Sequence, residues 1–103
     1  MDKRIDRILK EFVKKSNEIL PSDEIILYGS HAKGTEHEDS DIDVAVILDH
    51  FDGDYLDCSA RLFSIVSEID SRIEPVLLIR SQDRPGFINQ IKSYGKILYS
   101  RAQ

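Results

Sequence analysis

Two aspartates flank a single isoleucine at the head of the most strongly β-forming run in the chain, DIDVAVIL at 41–48. Side chains alternate across a strand, so residues two apart share a face. If Ile42, Val44, Val46 and Leu48 point into a core, Asp41 and Asp43 stand together on the opposite face. Like charges about 4 Å apart repel by roughly 4 kcal/mol at an effective dielectric near 20. A hard divalent cation with oxygen ligands, Mg2+ above all, offsets that repulsion, so the pair points to a metal site.

The rest of the chain supplies a scaffold for this strand. Ile5, Ile8, Leu9, Phe12, Val13, Ile19 and Leu20 recur at helical spacing, predicting an amphipathic helix over about 2–20 that Pro21 ends. EIILYG (24–29) reads as a buried strand, and 29–40 as a polar loop or short helical turn. After IDVAVIL (42–48), the stripe Leu56, Ala60, Phe63, Val66 and Ile69 predicts a helix with that stripe in the core. RIEPVLLI (72–79) gives a third strand. Pro85-Gly86 opens a short last helix carrying Phe87, Ile88 and Ile91, which Gly95 terminates before KILYS.

The strands around the 29–40 loop can pair antiparallel, and strand–helix–strand over 42–79 favours a parallel crossover. The expected fold class is α/β (α+β): one domain over 1–103, with a small mixed sheet covered by helices mainly on one face. The other face stays partly open. Parallel neighbours bring residues at equal depth side by side, so Glu74 joins Asp41 and Asp43 as a third carboxylate around one or two metals. Pro75 cannot donate a ladder hydrogen bond, which suggests an edge strand or a bulge there.

Gly29-Ser30 closes the first strand. A glycine followed by a serine that can cap a short helix offers free N–H groups and a hydroxyl to an anion. Lys33, about one turn on, can reach the same phosphate, and Gly34 would let the loop pass close to a ligand. Phosphate on one side and metal on the other describe phosphoryl transfer. No Gly-Lys-Ser/Thr phosphate loop and no G-x-G-x-x-G occurs in the sequence, so kinase-like and dinucleotide-binding readings lack support.

The residues GSHAKGTEHEDSDIDVAVIL (29–48) resemble the signature of the DNA polymerase beta-like nucleotidyltransferase superfamily: Gly-Ser, a basic residue and glycine, then Ser-Asp-x-Asp on a strand. The likeness is greatest to its minimal nucleotidyltransferase branch, the antitoxin partners of HEPN-domain toxins, and it extends over most of the chain. It implies the polymerase beta-like fold, with Gly29, Ser30, Lys33 and Ser40 holding the nucleotide. Asp41, Asp43 and Glu74 would bind two Mg2+ ions, with Mn2+ as a substitute. Glu74 would also help deprotonate the attacking hydroxyl. ATP or another nucleoside triphosphate is the implied donor, and the hydroxyl of a HEPN-domain partner protein the implied acceptor. Two residues depart from the pattern: Lys33 stands where arginine is frequent, losing a bidentate grip but keeping the charge, and Glu74 where aspartate is usual. Those departures keep two further readings open. One is an antitoxin that neutralises its partner by contact alone; the other is an aminoglycoside-type transferase whose substrate lobe lies on another chain.

Composition narrows the partners. The net charge is −5 with Lys and Arg scattered, which argues against long nucleic acid. Cys58 is the only cysteine, so no intrachain disulfide can form and a reducing compartment fits. The N-terminus lacks the apolar run of a signal peptide, and no stretch is apolar enough to span a bilayer, so a cytoplasmic location is expected. A homo- or hetero-oligomer fits equally. His31, His37 and His50 read as surface histidines, Cys58 as structural, and Glu38-Asp39 as solvating the loop.

Overall fold

The computed structural model describes residues 2–37, 39–83 and 86–101. The N-terminal amphipathic pattern folds as α1 (Lys3–Ile19), capped by Asp2, whose carboxylate accepts the Arg4 N–H at 2.7 Å. Ile5, Leu9 and Phe12 form its buried stripe, and the chain leaves the helix at Leu20, just before Pro21. Then follow β1 (Glu24–Tyr28), a short α2 (Gly29–Lys33), β2 (Ile42–Leu48), α3 (Tyr55–Ile69), β3 (Ile73–Ile79), a 3-10 turn, α4 (Phe87–Lys92) and β4 (Lys96–Ser100). Strand β1 is antiparallel to β2 and β4, while β2 is parallel to β3, giving the order β3-β2-β1-β4. Pro75 thus sits on an edge strand, where its missing N–H can be tolerated.

One sheet face carries Ile25 and Leu27, then Ile42, Val44, Val46 and Leu48, then Ile73, Leu77 and Ile79, all buried against α1 and α3. The opposite face is covered only in part. Ile88 and Ile91 of α4 lie on Ile26, Ala45 and Ile47. The Asp43 and Glu74 end of that face is left open, with Glu74 exposed.

Two expectations are corrected. The buried stripe of α3 is Leu62, Ile65 and Val66, with Cys58 and Ile69 packed alongside. Leu56 is 78 % and Phe63 48 % exposed, and Ala60 faces outward with them. The helix carries apolar residues at helical spacing on two faces, and periodicity alone does not say which meets the sheet. Leu62→Ala should therefore cost about 2–4 kcal/mol in denaturant unfolding, whereas Leu56→Ala should stay within about 0.5.

The second correction is KILYS, to which the sequence pattern assigns no element and which forms β4. It lies on the outer edge, half exposed, and its pairing with β1 shifts register between Ile25 and Ile26. That irregularity erases the alternation by which a strand is read. The last helix ends at Lys92, earlier than Gly95, and Gly86 is its N-cap; Pro85 and Glu38 lie outside the described residues.

At the far end of the sheet Glu24 is 9 % exposed and ion-paired to Lys92 at 3.0 Å and to Arg80, tying α4 and the turn after β3 to β1. Burial alone would raise the Glu24 carboxyl; the Lys92 and Arg80 bonds and charges outweigh it and hold it below its usual value. A depressed carboxyl stabilises the fold above its unfolded pKa, and that contribution is lost as pH falls through the folded one. Glu24→Gln should cost about 2 kcal/mol at pH 7, reduced from the figure for a sealed pair because both cations are half exposed. The difference should shrink as pH falls from the unfolded value of 4.5 through the lower folded one, as read by urea midpoints at neutral and acidic pH.

Candidate active site

The site is built by register. Strands β2 and β3 are locked at their starts by the Ile42 N–H donating to the Arg72 carbonyl at 2.8 Å. Arg72 is itself fixed to Asp70 through its backbone N–H at 2.9 Å and its guanidinium at 3.0–3.1 Å. In this register Asp43 lies directly beside Glu74, and on its other side beside Tyr28. The pairing of Asp43 with Glu74 is the one that equal depth in parallel strands predicts. Asp41 precedes β2 on its exposed lead-in.

Facing Asp43 is the turn from β1 into α2. Gly29 has φ +70°, and a β-carbon there would lie 2.1 Å from Asp43 Oδ2. Only glycine permits both the left-handed backbone and this approach of main chain to carboxylate. Its N–H donates to the Tyr94 hydroxyl at 3.1 Å, so this amide already has a partner. Ser30 follows in the first turn of α2, where backbone N–H groups have no intrahelical acceptor. Gly34 ends α2 at φ +75°, and nothing lies within 4 Å of where its β-carbon would be. There the glycine ends the helix in the left-handed conformation.

The other expected nucleotide contacts are placed as follows. Lys33 closes α2 with its ammonium 4.7 Å from the centre of the Tyr94 ring. Ser40 Oγ accepts the His37 N–H at 2.9 Å, and the Ser40 N–H returns to the His37 carbonyl at 2.9 Å, closing the loop before β2. His31 is not a surface residue: it is 8 % exposed on the inner side of α2, with Nε2 3.5 Å from the Ser40 carbonyl. Its position in a polar stretch hid this, because the helical turn that buries it is only five residues long.

Electrostatics single out Asp43. Burial first, and then the charges of Asp41 and Glu74, push its carboxyl above the usual range, with His31 partly opposing them. The Tyr28 phenol is raised by burial first, then by Asp43, Tyr94 and Glu74. Beyond burial, each shift carries a contribution from neighbouring negative charge, which a bound cation would relieve. The donor set of hard carboxylate oxygens therefore suits a divalent ion of the Mg2+ kind. Among the described residues, however, no three His, Cys, Asp or Glu side chains are drawn together at metal-ligand spacing. Uncompensated carboxylates repel one another, and Asp41 sits outside the ladder.

Sequence reasoning missed Tyr94 and Tyr28. Tyr94 reaches Gly29 from the turn after α4, and Gly95 makes that possible: a β-carbon there would meet the Ile91 carbonyl at 2.5 Å and Leu27 at 2.8 Å. Tyr28 packs edge-on against Phe87, ring centres 5.7 Å apart, on the same face as Asp43.

A sheet that sets carboxylates of two parallel strands against a Gly-Ser turn defines a nucleotidyl-transferring class of fold. The family profile described as "Polymerase beta, Nucleotidyltransferase" matches residues 7–103, and the chain belongs to that family. It is 31 % identical over 97 residues to a Methanocaldococcus jannaschii protein named as a protein adenylyltransferase, covering 88 % of this chain and 95 % of the relative. A second protein of that organism and name is 32 % identical over 98 residues, covering 91 % and 97 %. Among solved structures, a toxin–antitoxin complex with AMP-PNP superposes with TM-score 0.66 at 25 % identity, over 89 % of this chain and 73 % of that one. A nucleotidyltransferase structure from Sulfolobus solfataricus, with TM-score 0.64 and 21 % identity over 100 % and 92 %, shares the fold. The chain is thus a nucleotidyltransferase. None of the described helices is long and apolar enough to cross a membrane.

Proposed function

We propose that this one-domain enzyme transfers AMP from ATP to a hydroxyl of a partner protein, a HEPN-type toxin encoded beside it, and so acts as a cytoplasmic antitoxin. The observation that carries the reading is the side-by-side placement of Asp43 and Glu74 with Gly29 pressed against Asp43. Relatives named as protein adenylyltransferases favour a protein acceptor. The outward apolar stripe Leu56, Ala60 and Phe63 of α3 offers a surface for protein contact.

In this reading the Ser30 hydroxyl and backbone, with the Lys33 ammonium, hold the triphosphate, and Ser40 shapes the loop that borders it. Asp41, Asp43 and Glu74 would hold two Mg2+ ions, for which Mn2+ could substitute. When bound, such ions acidify the attacking hydroxyl and steady the leaving oxygen. The acceptor oxygen bonds to the α-phosphorus as the bond to pyrophosphate breaks, and Glu74 takes the hydroxyl proton. The protein's contribution is positioning and charge placement.

The contact-only antitoxin is the second reading, favoured by the same exposed α3 stripe. Purified protein, Mg2+, labelled ATP and the product of the adjacent gene separate the cases. Label on the partner is expected. Neutralisation without label would replace catalysis by contact, and label confined to an added aminoglycoside would replace the protein acceptor.

A further inference from the structure

Tyr94 makes two contacts at the phosphate-facing turn with one side chain. Its hydroxyl accepts the Gly29 N–H at 3.1 Å, and its ring lies under the Lys33 ammonium at 4.7 Å. Lys33 is exposed at the end of α2, on a flexible four-carbon stem that would otherwise sweep through solvent. An aromatic face attracts an ammonium, most when the pair is shielded from water. Tyr94 is half-buried, and its own place is set from below, where Gly95 fits against β1 without room for a side chain. The ring is thus a fixed platform, and the bond from Gly29 ties that platform to the turn whose main chain abuts Asp43.

We infer that Tyr94 is a positioning residue: it gathers the Lys33 charge beside the Gly29-Ser30 turn, so that both present themselves to the triphosphate of the nucleotide. This rests on the nucleotide site proposed above. Tyr94 needs no contact with ATP; it acts through Lys33 and Gly29. The residue comes from the C-terminal part of the chain, outside the 29–48 signature, and it links the α4–β4 turn to nucleotide affinity.

The test is a double-mutant cycle on MgATP binding, read by calorimetry with the full-length protein. Tyr94→Leu, which removes ring and hydroxyl, should weaken MgATP binding about tenfold. On a Lys33→Ala background the same change should weaken it distinctly less, because the partner of the ring is gone. Tyr94→Phe keeps the platform and should recover most of the lost affinity. Melting curves of each variant separate this from simple destabilisation, since a merely structural Tyr94 would give the same loss with or without Lys33. Full additivity of Tyr94→Leu and Lys33→Ala, or unchanged affinity in Tyr94→Leu, overturns the inference while leaving the nucleotide site standing. Failure of the unaltered protein to bind MgATP would overturn that site and this inference with it.

Discussion

Asp43→Asn is expected to reduce AMP transfer by a factor of about 10³ or more, yet to melt no lower than the parent protein in the absence of divalent ions. The first half follows from charge. A metal site supplies several kcal/mol of transition-state stabilisation, each 1.36 kcal/mol of which is tenfold in rate. An amide of the same shape cannot anchor that charge. The second half follows from the sign of the Asp43 shift. Its carboxyl is raised by burial, Asp41 and Glu74, so the folded protein binds its proton more tightly than the unfolded chain does. Stability therefore falls as pH rises from the unfolded value near 3.8 through the folded one, and above that window the charge opposes folding. Removing it should relieve the fold rather than injure it. Added Mg2+ should raise the melting temperature of the parent by mass action and leave the variant nearly unmoved. A variant that retains a tenth of parental transfer would take Asp43 out of the chemistry. One that melts several degrees lower would make it a structural residue.

What could be read in the sequence divides by the range of the interactions involved. The place of Asp43 on the open face was legible because strand alternation is a local rule that the head of DIDVAVIL obeys, although Val44 to Leu48 are buried on both faces and Asp41 falls just outside the strand. The Asp43–Glu74 pairing was legible because a β2–α3–β3 crossover leaves one simple register, which Ile42 and Arg72 then lock. The inner face of α3 was not, since Leu56 and Leu62 serve equally well as seeds of a helical stripe until a sheet selects one. Strand β4 hid behind its irregular pairing. Tyr94 was out of reach for a different reason. Its partners Gly29 and Lys33 lie far away in the chain, and nothing local to SYGK specifies that they meet. His31 shows the same limit in small, being buried by a turn too short to print a period.

Gly29→Ala and Gly34→Ala should separate backbone strain from site geometry. Both glycines hold positive φ, +70° and +75°, so either substitution forces an L-residue into the left-handed region at about 1–2 kcal/mol. Both variants should thus unfold at lower urea, Gly34→Ala by this strain alone and Gly29→Ala by at least as much. Their sites differ. The new methyl at Gly34 would project into open space, whereas at Gly29 it would meet Asp43 Oδ2 at 2.1 Å, Cγ at 3.0 Å and Cβ at 3.3 Å. Rotation of the carboxylate tip does not clear atoms so near the Asp43 backbone, so the whole side chain must be displaced from its place beside Glu74. A misplacement of about 1 Å at a reacting centre can lower rate by about 10²-fold. Gly29→Ala should therefore lose about that factor or more in transfer and most of its Mg2+-dependent thermal shift, while Gly34→Ala keeps both within about threefold of the parent. Equal loss of activity in the two variants would trace it to α2 as a whole. Full activity in Gly29→Ala would mean that the contact between this turn and Asp43 is dispensable, and the catalytic geometry would have to be sought elsewhere on the open sheet face.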